Sequence, residues 1–217
     1  MFKTKREVLF TVLAGIFITN AVVAELIGGK LIQIGPFVMS IGIIPWPIVF
    51  LTTDLINEYF GPKGVRKLSV ITAALIAYSF LILLLAINIP AAAGISPVTD
   101  TQFLSVFGQS MWIIVGSITA FLISQLIDVS MFRYFKKRTG ERKIWLRTTG
   151  STVISQLFDS FIVLGIAFWL PGKINAETFV SSALTGYTFK LIVAVLLTPL
   201  IYLGHHFIKK YLTEDAQ

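Results

Sequence analysis

The 217-residue sequence has no cysteine, two histidines and few charges, with only 13% of its residues Asp, Glu, Lys or Arg. The missing cysteines exclude a disulfide framework, thiolate metal sites and thiol catalysis, and leave the compartment open. There is no HExxH signature, no Ser-His-Asp-like set and no GxxxxGK[ST] loop. Zinc proteolysis, triad hydrolysis and unaided ATP hydrolysis therefore lack their residues. His205 and His206 are adjacent, the wrong spacing for a two-histidine metal face, and are expected at a membrane interface. No enzyme, metal or cofactor is expected.

What the chain has in excess is apolar surface. Hydrophobic residues make up 55% of it and its mean hydropathy is +0.83. A soluble domain of this length cannot hide that much from water, so the natural solvent is a lipid bilayer. A hydrocarbon core about 30 Å thick needs roughly 20 apolar residues as helix. Six stretches qualify or nearly do: about 7–28, 45–60, 68–89, 109–132, 148–170 and 183–207. The expected fold is an all-α integral membrane protein, a single transmembrane domain over 1–217 with six transmembrane helices.

Basic residues orient the spans. Lys3, Lys5 and Arg6 precede the first, and Lys63, Arg66 and Lys67 separate the second and third. Arg133, Lys136, Lys137, Arg138, Arg142, Lys143 and Arg147 separate the fourth and fifth, and Lys209 and Lys210 follow the sixth. The connection 90–108 has neither Lys nor Arg. The positive-inside rule then puts both termini in the cytoplasm and explains the net charge of +7 without nucleic acid. Trp46, Trp112, Trp145 and Trp169 fall at predicted span ends, where amphipathic rings sit at headgroup level. Span three has almost no polar content and reads as lipid-facing scaffold.

The segment around span two is irregular. "KLIQIGPFVMSIG" is rich in β-formers around a Gly-Pro turn, which predicts a short β-hairpin-like segment at about 30–42. Pro45 and Pro47 suit the first turn of a helix, giving a short second helix of ~24 Å that leaves a recess at the outer surface. A single kinked helix from 36 is the alternative.

Ionisable groups at membrane depth are costly and mark function. Here they are Glu25, Asp54, Glu58, Asp128, Asp159 and Lys190, accompanied by Asn20, Gln125, Gln156 and Tyr187. Glu58 lies near the inner surface and is expected to pair with Lys63 or Arg66. "SQLIDVSMF" (124–132) has a near-copy in "SQLFDSFIV" (155–163). Gln and Asp three apart, with Ser and Asp four apart, share one helix face. On antiparallel neighbours the two copies resemble the inverted pairs that surround a transport site. A pair of hydrogen-bonding helix clamps is the alternative, although a clamp needs no charge. Asp159 lies near the midplane and is expected to touch substrate with Gln156. Asp128 and Gln125 are expected to line the inner side of the path. Lys190 is placed to neutralise Asp159, either structurally or exchangeably with substrate.

The stretch "TDLINEYFGPKGVRK" (53–67), the Q-x-x-D of span four, the second polar-plus-Asp pair in span five and "YTFK" (187–190) together resemble the queuosine precursor transporter family, also named the vitamin uptake transporter family. The likeness covers nearly the whole chain. Where many relatives carry Asn, this chain has Glu25. The resemblance implies an inner-membrane importer of 7-cyano- or 7-aminomethyl-7-deazaguanine, or queuine, supplying tRNA modification. The residues suit that cargo: a guanine-like base offers adjacent N–H donors to one carboxylate and a carbonyl to an amide. Asp159 or Asp54 would be the carboxylate, Gln125 and Gln156 the amides, and Phe158 or Tyr187 the stacking ring. A buried carboxylate is also a site for a coupling proton. The competing reading is a substrate-binding subunit of an energy-coupling-factor vitamin transporter. Such subunits show Ala-x-x-x-Ala in span one, a spacing that Ala14, Ala21 and Ala24 do not keep. Six spans are few for a complete alternating-access carrier, which favours a homodimer.

Overall fold

The computed structural model describes residues 4–35, 37–109, 111–140 and 143–213. Lys3, Pro36 and Arg142, used above, lie outside the described residues. The elements in chain order are α1 (Lys5–Ile27), β1 (Leu31–Ile34), β2 (Phe37–Ser40), a 3₁₀ turn (Ile41–Ile43), α2 (Trp46–Ile87), α3 (Asp100–Phe107), α4 (Met111–Thr139), α5 (Ile144–Leu164) and α6 (Ala176–Thr213). A π-helical turn, Gly165–Trp169, continues α5. Among the described residues, five helical stretches are long and apolar enough to cross a membrane.

The number is five because the second and third expected spans form one element, α2, broken at Gly61 (φ 78°, ψ 173°). That backbone region is essentially reserved for glycine, and Pro62 follows it with no amide hydrogen to continue the ladder. The chain reverses here. Along the first arm Trp46 meets Phe121, Thr53 meets Gln125 and Glu58 meets Lys136, in the same order as α4 runs. Beyond the break Arg66 donates to Ser130, back up α4.

The remaining helices alternate in direction. α4 and α5 are antiparallel: Gly116 lies against Val163 and Ala167, Asp128 against Thr152 and Ser155, and Gly140 against Arg147. A Cβ on Gly116 would stand 3.2 Å from the Val163 carbonyl oxygen and the Ala167 nitrogen, so its absence lets the two backbones approach closely. α6 returns along α5 through Phe179–Trp169, Lys190–Asp159 and Thr198–Thr149. The buried apolar centre joins α1, α2 and α4 through Phe17, Val49, Ile56, Ile76 and Phe121. The second arm of α2 and much of α6 turn Val70, Leu81, Leu85, Val195 and Leu196 outward. That outer apolar surface fits lipid rather than water.

One end of the bundle collects basic groups. Arg6 Nη2 donates to the Tyr59 carbonyl at 2.7 Å, Lys5 reaches the Tyr211 carbonyl, and His205 Nδ1 lies 2.7 Å from Tyr59 Oη. Glu58 sits among them and corrects the expected local pairing with Lys63 or Arg66. It accepts from Arg147 Nη2 at 2.8 Å and Lys136 Nζ at 3.2 Å, while Arg66 turns to Ser130. The reversal at Gly61 is the reason, since residues 63 and 66 belong to the other arm and Glu58 faces α4 and α5.

At the opposite end β1 and β2 pair antiparallel, Leu31 opposite Ser40 and Ile34 opposite Phe37. Ser40 Oγ donates to the Gly28 carbonyl at 2.8 Å and the Ile41 amide to Lys30 O at 2.9 Å, tying the pair to the end of α1. α3 lies within the connection 90–108, which sequence reading left without an element. Its Thr99/Gln102 capping box starts the helix.

Candidate functional site

Polar residues on four helices meet at a narrow recess of about 20 Å³. Trp46, Phe50 and Thr53 come from the first arm of α2, Ser124, Gln125 and Asp128 from α4, Thr152, Ser155, Gln156 and Asp159 from α5, and Lys190 from α6. Each set follows helical spacing. Positions 46, 50 and 53 form one stripe, as do 152, 155, 156 and 159. The mixture of apolar rings with a few convergent polar groups is that of a small-molecule site, drawn nearly closed in this conformation.

The two sequence repeats meet face to face. Ser155 Oγ of the second copy donates to Asp128 Oδ1 of the first at 3.2 Å, and Thr152 Oγ1 adds a longer contact at 3.4 Å. The reciprocal bond is not made, because Ser124 Oγ donates to the Phe121 carbonyl of its own helix. Asp159 instead forms an ion pair with Lys190 of α6. The copies are thus not equivalent, but they share one recess. Asp128 and Asp159 line the same recess, with Asp128 at the level of Thr152 and Ser155, nearer the basic end than Asp159.

The polar bonding is incomplete. Gln125 Nε2 leans on Thr53 Oγ1 at 3.4 Å, whereas Gln125 Oε1 and Asp128 Oδ2 are buried with no hydrogen-bond partner among the described residues. Leaving such an acceptor unpaired costs about 1–3 kcal/mol, more for a charged group. Both residues line the recess, one helical turn apart on α4. They are acceptors waiting for donors.

The other expected site residues lie elsewhere. Asp54 is buried off the recess wall, and its Oδ1 also lacks a partner among the described residues. Glu25 is buried on α1, where its carboxylate accepts from Ser117 and its backbone carbonyl from Gln109 Nε2. Asp159 and Lys190 act on it electrostatically, so it stands near the recess without lining it. Asn20 spends its amide on the Ile16 carbonyl of its own helix. Tyr187 is half-buried on α6, outside the lining. Phe158 is 47% exposed on the outer surface, and the rings at the recess are Trp46 and Phe50, stacked with centroids 5.9 Å apart. Trp46 therefore departs from the interfacial role expected of it, while Trp112, Trp145 and Trp169 are exposed. The signal for the rings was present in the sequence as the 46/50/53 stripe that ends at the Thr-Asp pair. Among the described residues no three His, Asp or Glu side chains gather as a metal ion would require.

A multi-helix membrane bundle whose helices surround a polar recess walled on one side by aromatic rings has the architecture of a small-molecule transporter. The chain belongs to the vitamin uptake transporter family: the family described as "Putative vitamin uptake transporter" matches residues 40–204. It is accordingly a transporter and not an enzyme, and a multi-pass membrane protein. It is similar to the "Probable queuosine precursor transporter" of Bacillus subtilis (strain 168), 29% identical over 87% of this chain and 79% of that protein. The "Queuosine precursor transporter" of Escherichia coli (strain K12) is 27% identical over 71% of this chain and 66% of its own. A Haemophilus influenzae relative (strain ATCC 51907 / DSM 11121 / KW20 / Rd), also named "Probable queuosine precursor transporter", is 25% identical over 72% of this chain and 63% of its own. No solved structure matches the chain.

Proposed function

We propose that this protein imports 7-deazaguanine precursors of queuosine across the cytoplasmic membrane, by secondary or facilitated transport. The observation that carries the reading is the pair of buried acceptors Gln125 Oε1 and Asp128 Oδ2, without a hydrogen-bond partner among the described residues, on two residues that line the recess together with Trp46. A 7-deazaguanine presents the complement: a flat ring to stack on Trp46 and adjacent N–H donors for a carboxylate and an amide oxygen. Gln156 and Lys190 are the donors for its carbonyl. Asp159 releases Lys190 in part as the ligand enters, which makes the ion pair exchangeable rather than purely structural. The names of the relatives agree with this cargo.

The membrane arrangement follows. The two arms of α2 are separate crossings that turn at Gly61 on the basic side, giving six spans. The end carrying Arg6, Lys136 and Arg147 is cytoplasmic, and so are both termini. Two copies form the working unit. The test is uptake in cells unable to make queuosine, each precursor being supplied singly and tRNA modification scored. Rescue by at least one 7-deazaguanine is expected. No rescue by any of them, with the protein present in the membrane, overturns the assignment.

A further inference from the structure

We propose that Asp54 is a proton carrier that couples uptake to a proton gradient, a role separate from the ligand-contacting wall. The proposal rests on the transport reading above. Thr53 lines the recess; Asp54, one residue on, is turned about 100° round the helix and lies behind that wall. It is 2% exposed, and its Oδ1 has no hydrogen-bond partner among the described residues. A ligand in the recess can meet the acceptors of Gln125 and Asp128, but Asp54 is outside the lining. What its oxygen lacks is a donor, and a proton is the smallest group that supplies one.

Among the described residues no cation pairs with it. Asp128 on the recess side and Glu58 one turn toward the basic end both act on it as like charges. The nearby basic groups are engaged elsewhere: Lys190 by Asp159, Arg147 and Lys136 by Glu58, and Arg6 by the Tyr59 carbonyl. His205 of α6 is held at Tyr59 Oη, and Glu25 of α1 accepts from Ser117. An ionised carboxylate without a partner costs far more in such a place than a carboxylic acid does. Asp54 thus has one carboxyl neighbour in the recess lining, Asp128, and another at the basic end, Glu58. The step is a plain proton exchange: Asp54 takes a proton when the recess faces the outside and gives it to water at the basic end when the recess faces inward. No electrons move.

The full-length protein in proteoliposomes tests this, with labelled 7-cyano-7-deazaguanine and an imposed inside-alkaline gradient. Wild type should accumulate ligand several-fold above the no-gradient level, and a protonophore should abolish the excess. Asp54→Asn should keep the ligand-induced thermal shift yet only equilibrate, and Asp54→Glu should restore gradient-driven accumulation. Uptake indifferent to the proton gradient, uptake driven by sodium alone, or full accumulation by Asp54→Asn overturns the proposal. Infrared difference spectra recorded across a pH titration give a readout that needs no ligand. A carboxylic-acid carbonyl band is expected in wild type, shifted in Asp54→Glu; its absence also overturns the proposal. Failure of wild type to bind any 7-deazaguanine would instead remove the cargo assignment, leaving the infrared band to decide Asp54.

Discussion

Asp128 and Arg147 show how differently two buried charges are treated in this protein. Arg147 is 1% exposed, and its guanidinium is occupied by Glu58 and the Gly140 carbonyl at 2.7 Å. It is a structural ion pair, and removing one partner of such a pair typically costs about 3–5 kcal/mol. Arg147→Met should therefore lower the melting temperature in detergent far more than Lys136→Met, whose side chain is 33% exposed. Equal shifts would contradict this. Asp128 has one oxygen satisfied by Ser155 and the other buried without a partner among the described residues. Asp128→Asn keeps the Ser155 contact and removes the charged acceptor, so ligand affinity should fall about 10- to 100-fold, the worth of one charge-assisted hydrogen bond, with little change in thermal stability. The Asp159–Lys190 pair separates the two roles again. The neutral double variant Asp159→Asn/Lys190→Gln should fold but not transport, whereas a purely structural pair would leave uptake intact. The intramembrane polar residues stood out in the sequence because charge is rare there. Their partners did not, since Glu58 reaches across 89 residues to Arg147, a pairing that no local rule supplies.

At the level of elements, the repeated Ser-Gln-x-x-Asp told more than either copy alone. Spacing put Ser, Gln and Asp on one face, and consecutive membrane spans run antiparallel, which made the two copies neighbours. That the second Ser would serve the first Asp, and not the reverse, depends on the register of α5 against α4, which Gly116 helps to set and sequence spacing does not express. Tryptophan misled in one case. At a helix start Trp46 looks interfacial by position, but the reversal of α2 and the packing of α4 bring its ring 5.9 Å from Phe121 and onto the recess wall. The reversal itself rests on Gly61. A Cβ there would meet nothing within 4 Å, so the cost of Gly61→Ala is backbone strain alone, about 1–3 kcal/mol. A lowered melting temperature with unchanged ligand affinity is expected. No thermal change would mean that the break does not need glycine.

The whole molecule is an asymmetric bundle with a basic end, an end capped by the β1–β2 pair and α3, and one polar recess between four helices. Hydropathy revealed the class because apolar length is a property of each stretch by itself. The second and third stretches it separated share one helical element here, α2, whose two arms part at Gly61. The absence of native cysteine permits a clean test of orientation. A single cysteine at Ile95, 84% exposed in the 90–108 connection, should react with an impermeant maleimide from outside the cell. One at Lys137, exposed at the end of α4, should react only after permeabilisation. The reverse pattern would invert the topology and the direction assigned to the recess.

Calorimetric titration of the purified protein shows whether the Gln125–Asp128 acceptors and the Trp46 ring bind a 7-deazaguanine. Wild type should bind 7-cyano-7-deazaguanine saturably. Gln125→Leu and Asp128→Asn should each weaken binding at least tenfold, and Phe158→Ala, on the outer surface, should not change it. Undiminished affinity in both recess variants, or a loss in Phe158→Ala alone, would contradict the account.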